Sequence, residues 1–349
     1  MALSRYLLRF AWLLQDDGGG LQKAVQGFFC SNISLSMLVV NLGQCALALV
    51  QSKTVKAAAS GLKVVGTFYS NMSATITLRR HNFRQTVRSI AALSTDIESG
   101  VGGKCVPWYS AAERTARLVL VADGVMAAWR VGGATLWWLL PGRGSLQGSR
   151  LSALPGLLLS VVCVVMSAPP HVFLHALVCC VVAALIAMHR ELAHRLEQAD
   201  DAQAILTVVK QHQRLHQLTH GLCDGIADIL MHFLFSSFCN AIACTLQILA
   251  SESDSYTAVG FTLLIVTFLP LASLSQELSD TCLYLRGAAS RAALSSSSAA
   301  TRRSLLMVMV AAGRPPSLYC KGLSPLNLRA AGSAIKSWYS VVSVLATRY

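Results

Sequence analysis

The chain has 349 residues, of which 54% are hydrophobic and only 13% charged, and its formal net charge is +13. Soluble chains carry about 25% charged residues and disordered ones need low hydrophobicity. This composition therefore excludes disorder, argues against a two-domain soluble enzyme and points to an integral membrane protein. The surplus of Lys and Arg is compatible with nucleic acid or with basic cytoplasmic loops, and its placement decides between them.

A membrane helix takes about 20 mostly apolar residues. Seven stretches qualify, at roughly 33–50, 62–78, 117–141, 154–188, 226–250, 257–275 and 326–346. The first follows Asp16, Asp17 and Gly18-Gly19-Gly20 and shows no cleavage site, so it reads as a span and not as a signal peptide. The fourth is too long for one crossing and contains Pro169-Pro170. It is either a helical hairpin, which gives eight spans, or one long helix that projects beyond the bilayer.

The cations choose between these. With seven spans and the N-terminus inside, nineteen of the 29 Lys and Arg residues fall on inner segments and five outside. The segment Ser251-Glu252-Ser253-Asp254-Ser255 is an acidic outer loop. Eight spans would reverse everything after residue 188 and place many cations outside, against the positive-inside bias. The expected fold is an all-α, seven-transmembrane bundle with an intracellular N-terminus. Charge so placed implies no nucleic-acid partner. The inside N-terminus and the lack of an Asp-Arg-Tyr-type end to the third span argue against a G-protein-coupled receptor.

Motifs for catalysis are missing. No Walker-type loop, G-x-S-x-G elbow or G-x-G-x-x-G occurs, and the chain reads as a non-enzyme without a cofactor. The eleven cysteines contain no C-x-x-C. Cys179, Cys180 and Cys244 read as small buried hydrophobes, and Cys105 and Cys320 as reduced inner thiols. His212, His216 and His220 share one helix face at i, i+4 and i+8 without an acid or Cys beside them. That stripe reads as a packing or solvated face and not as a metal site. The sequons at Asn32 and Asn71 lie at or inside spans and should stay unmodified. Asp123 and Asp228 lie near the inner ends of spans three and five, where snorkelling or a local partner is expected. With no acid at mid-span and no internal repeat, a small-molecule transporter is the weaker alternative.

The densest pattern lies between 275 and 349. It runs Ser275-Gln276-Glu277-Leu278-Ser279-Asp280, Leu285-Arg286-Gly287, Arg302-Arg303-Ser304-Leu305-Leu306, Arg314-Pro315, Gly322-Leu323-Ser324-Pro325-Leu326 and Ser337-Trp338-Tyr339-Ser340. Residues 301–312 form an apolar run too short to span, ended by Arg314-Pro315-Pro316 because proline lacks an N–H and clashes with the preceding turn. Residues 326–346 follow as a span rich in small side chains, Ala330, Ala331, Gly332, Ser333 and Ala334, which permit close helix approach. In order and spacing these pieces resemble the insect odorant receptor family over about 75 residues.

The resemblance implies a seventh helix split into a cytoplasmic packing helix and a pore-lining helix. It divides the chain into a ligand-binding bundle over 1–275 and an anchor and pore segment over 276–349. It implies an odorant-gated, non-selective cation channel subunit of the plasma membrane of olfactory neuron dendrites, acting in a heterotetramer with the odorant receptor co-receptor. A volatile apolar ligand would bind in the outer half of the bundle among Phe68, Tyr69, Trp129, Leu136, Trp137, His171, Phe173, Ile242, Tyr256 and Phe261. The constriction would fall at Val342, Leu345 and Ala346, with Ala346 in place of a bulkier family side chain. Ser295-Ser296-Ser297-Ser298 replaces the bulkier family segment before the Arg-Arg helix, and the loop before span four is short. The related gustatory receptors, which act without the co-receptor, are the alternative, but their Thr-Tyr-(five apolar)-Gln-Phe ending is missing here.

Overall fold

In the computed structural model the described residues are 55–99, 150–199, 201–250, 255–323 and 325–346, with shorter stretches between 35 and 50 and between 108 and 125. They are all-helical. The elements are α1 (Val55–Arg79), α2 (His81–Ser99), α3 (Arg150–Gln198), α4 (Ala202–Leu249), α5 (Ser255–Ser295), α6 (Ala299–Ala312) and α7 (Leu328–Ala346). A helical stretch over 117–125 falls within the third expected span. One isolated antiparallel bridge, Tyr319 with Pro325, is the non-helical pairing among the described residues.

The centre of the bundle is α3. Its 49 residues form one continuous helix through Pro169-Pro170, about 74 Å long at about 1.5 Å per residue, so the hairpin alternative does not form. From Leu174 to Met188 every residue is buried. A helix that is apolar on all sides must be enclosed, and α1, α4 and α5 enclose it. Pro170–Gln198 and Ala202–Leu249 are, among the described residues, the two stretches long and apolar enough to cross a membrane. In α4 the expected span over 226–250 is only the upper half, and residues 202–225 continue the helix beyond it.

Helix α2 lies where the sequence suggested only an inner loop. Its buried residues Phe83, Val87, Ile90, Ser94 and Ile97 recur at three- and four-residue spacing. That is one face of an amphipathic helix, so the signal was present but was hidden by the cations Arg84 and Arg88. The Arg195 guanidinium donates to the Ile97 carbonyl at 2.5 Å and to Glu191 at 2.8 Å, fastening α2 to α3.

The short helix expected over 301–312 is α6. The Ser298 hydroxyl caps it by accepting from the Thr301 N–H, so the serine run supplies an N-cap. Asn327 starts α7 the same way, its Oδ1 accepting from the Ala330 N–H at 2.7 Å. The expected division at residue 275 falls within α5, which runs unbroken to Ser295.

Leu192 is fully buried in the lower part of α3. Leu192→Ala should cost about 2–5 kcal/mol through lost burial and the cavity left behind, whereas Leu192→Met should cost less than about 1.5 kcal/mol. Thermal unfolding of the detergent-solubilised protein checks both, and equal melting temperatures for the two variants would contradict this packing.

Candidate functional site

The expected ligand residues divide into three groups. Phe68 is buried and Tyr69 half-buried on α1, with Tyr69 against the 232–236 turn of α4. The Tyr69 hydroxyl lies 2.6 Å from His232 Nδ1, and its ring meets Phe235 edge-on at 5.6 Å. His171 is buried on α3 with its ring 4.2 Å from that of Phe233. The structure thus gathers α1 and α3 members on one turn of α4, and His232 and Phe233 join a set from which the sequence reading omitted them. Ser236 holds α1 here by donating to the Gly66 carbonyl at 2.6 Å. A Cβ at Gly66 would lie 3.3 Å from the Ser236 carbonyl oxygen, so a larger side chain at this crossing would require α4 to give by a few tenths of an ångström. Phe173 is half-buried against the core and Ile242 half-buried higher on α4. Tyr256 and Phe261 lie on α5, where only the backbone is described, and Trp129, Leu136 and Trp137 lie outside the described residues.

Asp123 departs from expectation. It neither snorkels nor pairs within its own helix. It is buried, with Oδ2 2.7 Å from His175 Nδ1 on α3, while His175 Nε2 lies 3.1 Å from the Thr267 carbonyl oxygen on α5. A lone His in the apolar run 172–182 and a lone Asp in another span were both visible in the sequence, but their pairing required the fold. Asp228 pairs with Arg80 and with Lys321.

The motif residues of the C-terminal third act together. Glu277 accepts from Arg190 of α3 at 2.8 Å, and the Arg190 guanidinium lies over the Trp108 ring. Two residues to either side, Ser275 Oγ accepts the Leu318 N–H at 2.9 Å and Ser279 Oγ donates to the Pro316 carbonyl at 3.1 Å. The connector 313–327 is further held by the Lys321 N–H on the Ala227 carbonyl and by Tyr319, whose hydroxyl donates to Asp224. Gly322 turns it at φ +81°, a left-handed conformation suited to glycine. Between this connector, α4, α5 and α7 lies an apolar cavity of about 190 Å³, lined by Leu234, Phe268, Cys320, Leu326, Ala331 and Ala334 among others. The small α7 side chains, expected to permit close helix approach, here leave space.

Arg291 and Tyr284 of α5 converge on Glu197 of α3. A second cavity, about 400 Å³, separates His212, His216 and their neighbours on α4 from Met307, Val308 and Ala311 of α6. The expected histidine face is therefore a packing face at His212, extended by His189 of α3, whose ring lies 6.2 Å from that of His212. Among the described residues no three metal-ligating side chains are arranged to hold an ion. Burial, then the His189 and His216 rings, pushes His212 down from 6.5 to about 3. His212 lies outside the expected span over 226–250 and is neutral in the folded chain.

Once unfolded, His212 regains its ordinary value and binds a proton as pH falls below about 6.5. Its contribution to stability is complete above that pH and is lost on acidification, by about 1.4 kcal/mol per pH unit. The melting temperature of solubilised protein should fall between about pH 7.5 and 5.5, and His212→Phe should make the fall shallower. An unchanged slope would contradict a buried neutral His212.

Comparison with known proteins agrees with this architecture. The profile of the 7tm Odorant receptor family matches residues 104–339. No curated protein matches the chain. Among solved structures, the insect olfactory receptor OR5 from Machilis hrabei in complex with eugenol superposes with a TM-score of 0.77, at 15% identity over 98% of each chain. A second structure of the same receptor superposes with a TM-score of 0.72, at 13% identity over 99% of each chain. The family match covers well over half of a chain whose own geometry is an all-helical bundle with a pinned C-terminal helix: this protein is a membrane protein of the 7tm odorant receptor family.

Proposed function

We propose that the chain is the ligand-binding subunit of an odorant-gated, non-selective cation channel, assembled with the odorant receptor co-receptor as a heterotetramer in the plasma membrane. In this reading it crosses the membrane seven times with its N-terminus inside. Its ligand is a volatile, mostly apolar molecule, taken up by burial of apolar surface and oriented by a few polar groups. Phe68, Tyr69, His171, Phe173 and Ile242 are the members of this ligand set whose side chains are described. The eugenol complex of OR5 is in keeping with a small aromatic ligand. The lower halves of α3, α4 and α5, with α6 and its exposed Leu306, Met307 and Val310, form the subunit anchor.

The observation that carries the channel reading is on α7. Ser333, Lys336, Ser337, Ser340 and Ser343 are all exposed and recur at three- and four-residue spacing, which places them on one helix face. Five polar side chains on the outer face of a membrane helix fit a water-filled seam between subunits better than lipid. Val344 is exposed on that same face, whereas Val342 is half-buried toward the bundle. The family resemblance offers Val342, with Leu345 and Ala346, for the constriction. The exposed face offers Val344 at the same outer end, where an apolar ring can gate by dewetting.

Co-expression with the co-receptor and current recording over an odorant panel test the function. Odorant-evoked cation current is expected, and its absence despite surface delivery would overturn the reading. Val344→Ala should change relative ion permeability more than Val342→Ala. If neither variant changes it, α7 does not line the conduction path.

A further inference from the structure

The contact among Asp123, His175 and Thr267 is buried where the chain is most apolar. The His175 and Asp123 side chains are 1% and 8% exposed. Polar groups at such depth in a membrane bundle are costly unless paired. Here His175 Nδ1 faces Asp123 Oδ2 at 2.7 Å and Nε2 faces the Thr267 carbonyl oxygen at 3.1 Å, with the Cys179 sulfur 3.7 Å from Nε2. A carbonyl oxygen can only accept, and a carboxylate likewise. The two contacts therefore need two hydrogens, which ring and carboxyl hold between them. The pair is net neutral whether the shared proton lies on nitrogen or on oxygen.

The third partner is prepared by the sequence. Pro270 lies within α5 and has no N–H, so the Val266 carbonyl loses its helical donor and the turn containing Thr267 is loosened. Thr267 is followed by Phe268 and Leu269, which line the 190 Å³ cavity whose opposite wall is Ala330, Ala331, Ala334 and Ile335 of α7. On the other side, His175 lies one turn below His171 on α3. The contact thus joins the helix that carries ligand-set residues to the turn of α5 that faces the pore helix.

We propose that Asp123, His175 and the Thr267 carbonyl form a coupling link, which holds α3 against the α5 turn facing α7 and passes ligand-driven displacement of α3 to the pore helix. The link rests on the channel reading above. His175 acts in it as a positioning residue and touches no ligand.

The test uses the full receptor co-expressed with the co-receptor, and reads surface level, single-channel conductance and half-maximal odorant concentration. The double variant Asp123→Leu/His175→Leu removes both polar groups together, a change that buried pairs often tolerate. It should reach the surface with wild-type conductance and a half-maximal concentration raised about tenfold, within the usual range of coupling between sites. Asp123→Asn should stay within about twofold of wild type, because its amide can donate to Nδ1 and leave the Nε2 hydrogen for Thr267. His175→Gln keeps the Asp123 contact without a second nitrogen for Thr267 and should behave like the double variant; it decides the matter if the double variant stays inside the cell. Reduced surface level with an unshifted half-maximal concentration would mean a purely structural contact and would overturn the link. A wild-type receptor that gives no odorant current overturns the channel reading instead.

Discussion

The rest of the molecule depends on a helix with no polar face. From Leu174 to Met188 α3 is buried without interruption, so it cannot lie at the edge of anything. Other helices must surround it, and their own outward faces are then free to differ. This explains why α4 and α5 can be as long as they are. Both follow α3 past the expected membrane boundary, and the enclosed core continues with them through Leu192 and Leu196. A single apolar axis thus supports both the part read as membrane-embedded and the part read as the subunit anchor.

Along that axis the helices are fixed in register by a few polar contacts at separate heights. Tyr69 with His232 and Ser236 with Gly66 set α1 on α4. Asp123 and His175 tie the 117–125 stretch to α3 and α5. Arg190 with Glu277, then Arg291 with Glu197, tie α3 to α5 further along. Apolar packing resists separation but permits sliding and rotation. Directional bonds restrict both, and their spacing along α3 means that it is registered at several levels.

Much of this was legible in the sequence, for physical reasons that differ between elements. The long apolar run after Leu154 could be read as one helix because reversing the chain there would have misplaced the downstream cations. The helix over 301–312 was readable from its proline stop. Helix α2 was not, because Arg84 and Arg88 drew attention from the spaced apolar residues Phe83, Val87, Ile90 and Ile97. Pairings between distant positions, such as Asp123 with His175, leave no trace in local periodicity. The candidate ligand set was readable only as a list by depth. Which members meet depends on the crossing of α1 and α4 at Gly66, where tolerance is a few tenths of an ångström.

The connector 313–327 has a consequence for how such receptors can be divided. It is fastened to Ser275 and Ser279 of α5 and to Ala227 of α4, while Asn327 at its end starts α7. The last helix is therefore not an independent part with a loop for a handle. The exchangeable unit is the helix together with its connector and the two serines of α5 that receive it. A graft joined at residue 328 would meet a foreign seat. One joined within α5, ahead of Ser275, would carry the α5 part of its seat with it and leave only the α4 contacts at Ala227 and Asp224 to the host, and the natural border between interchangeable parts lies inside a helix and not between helices.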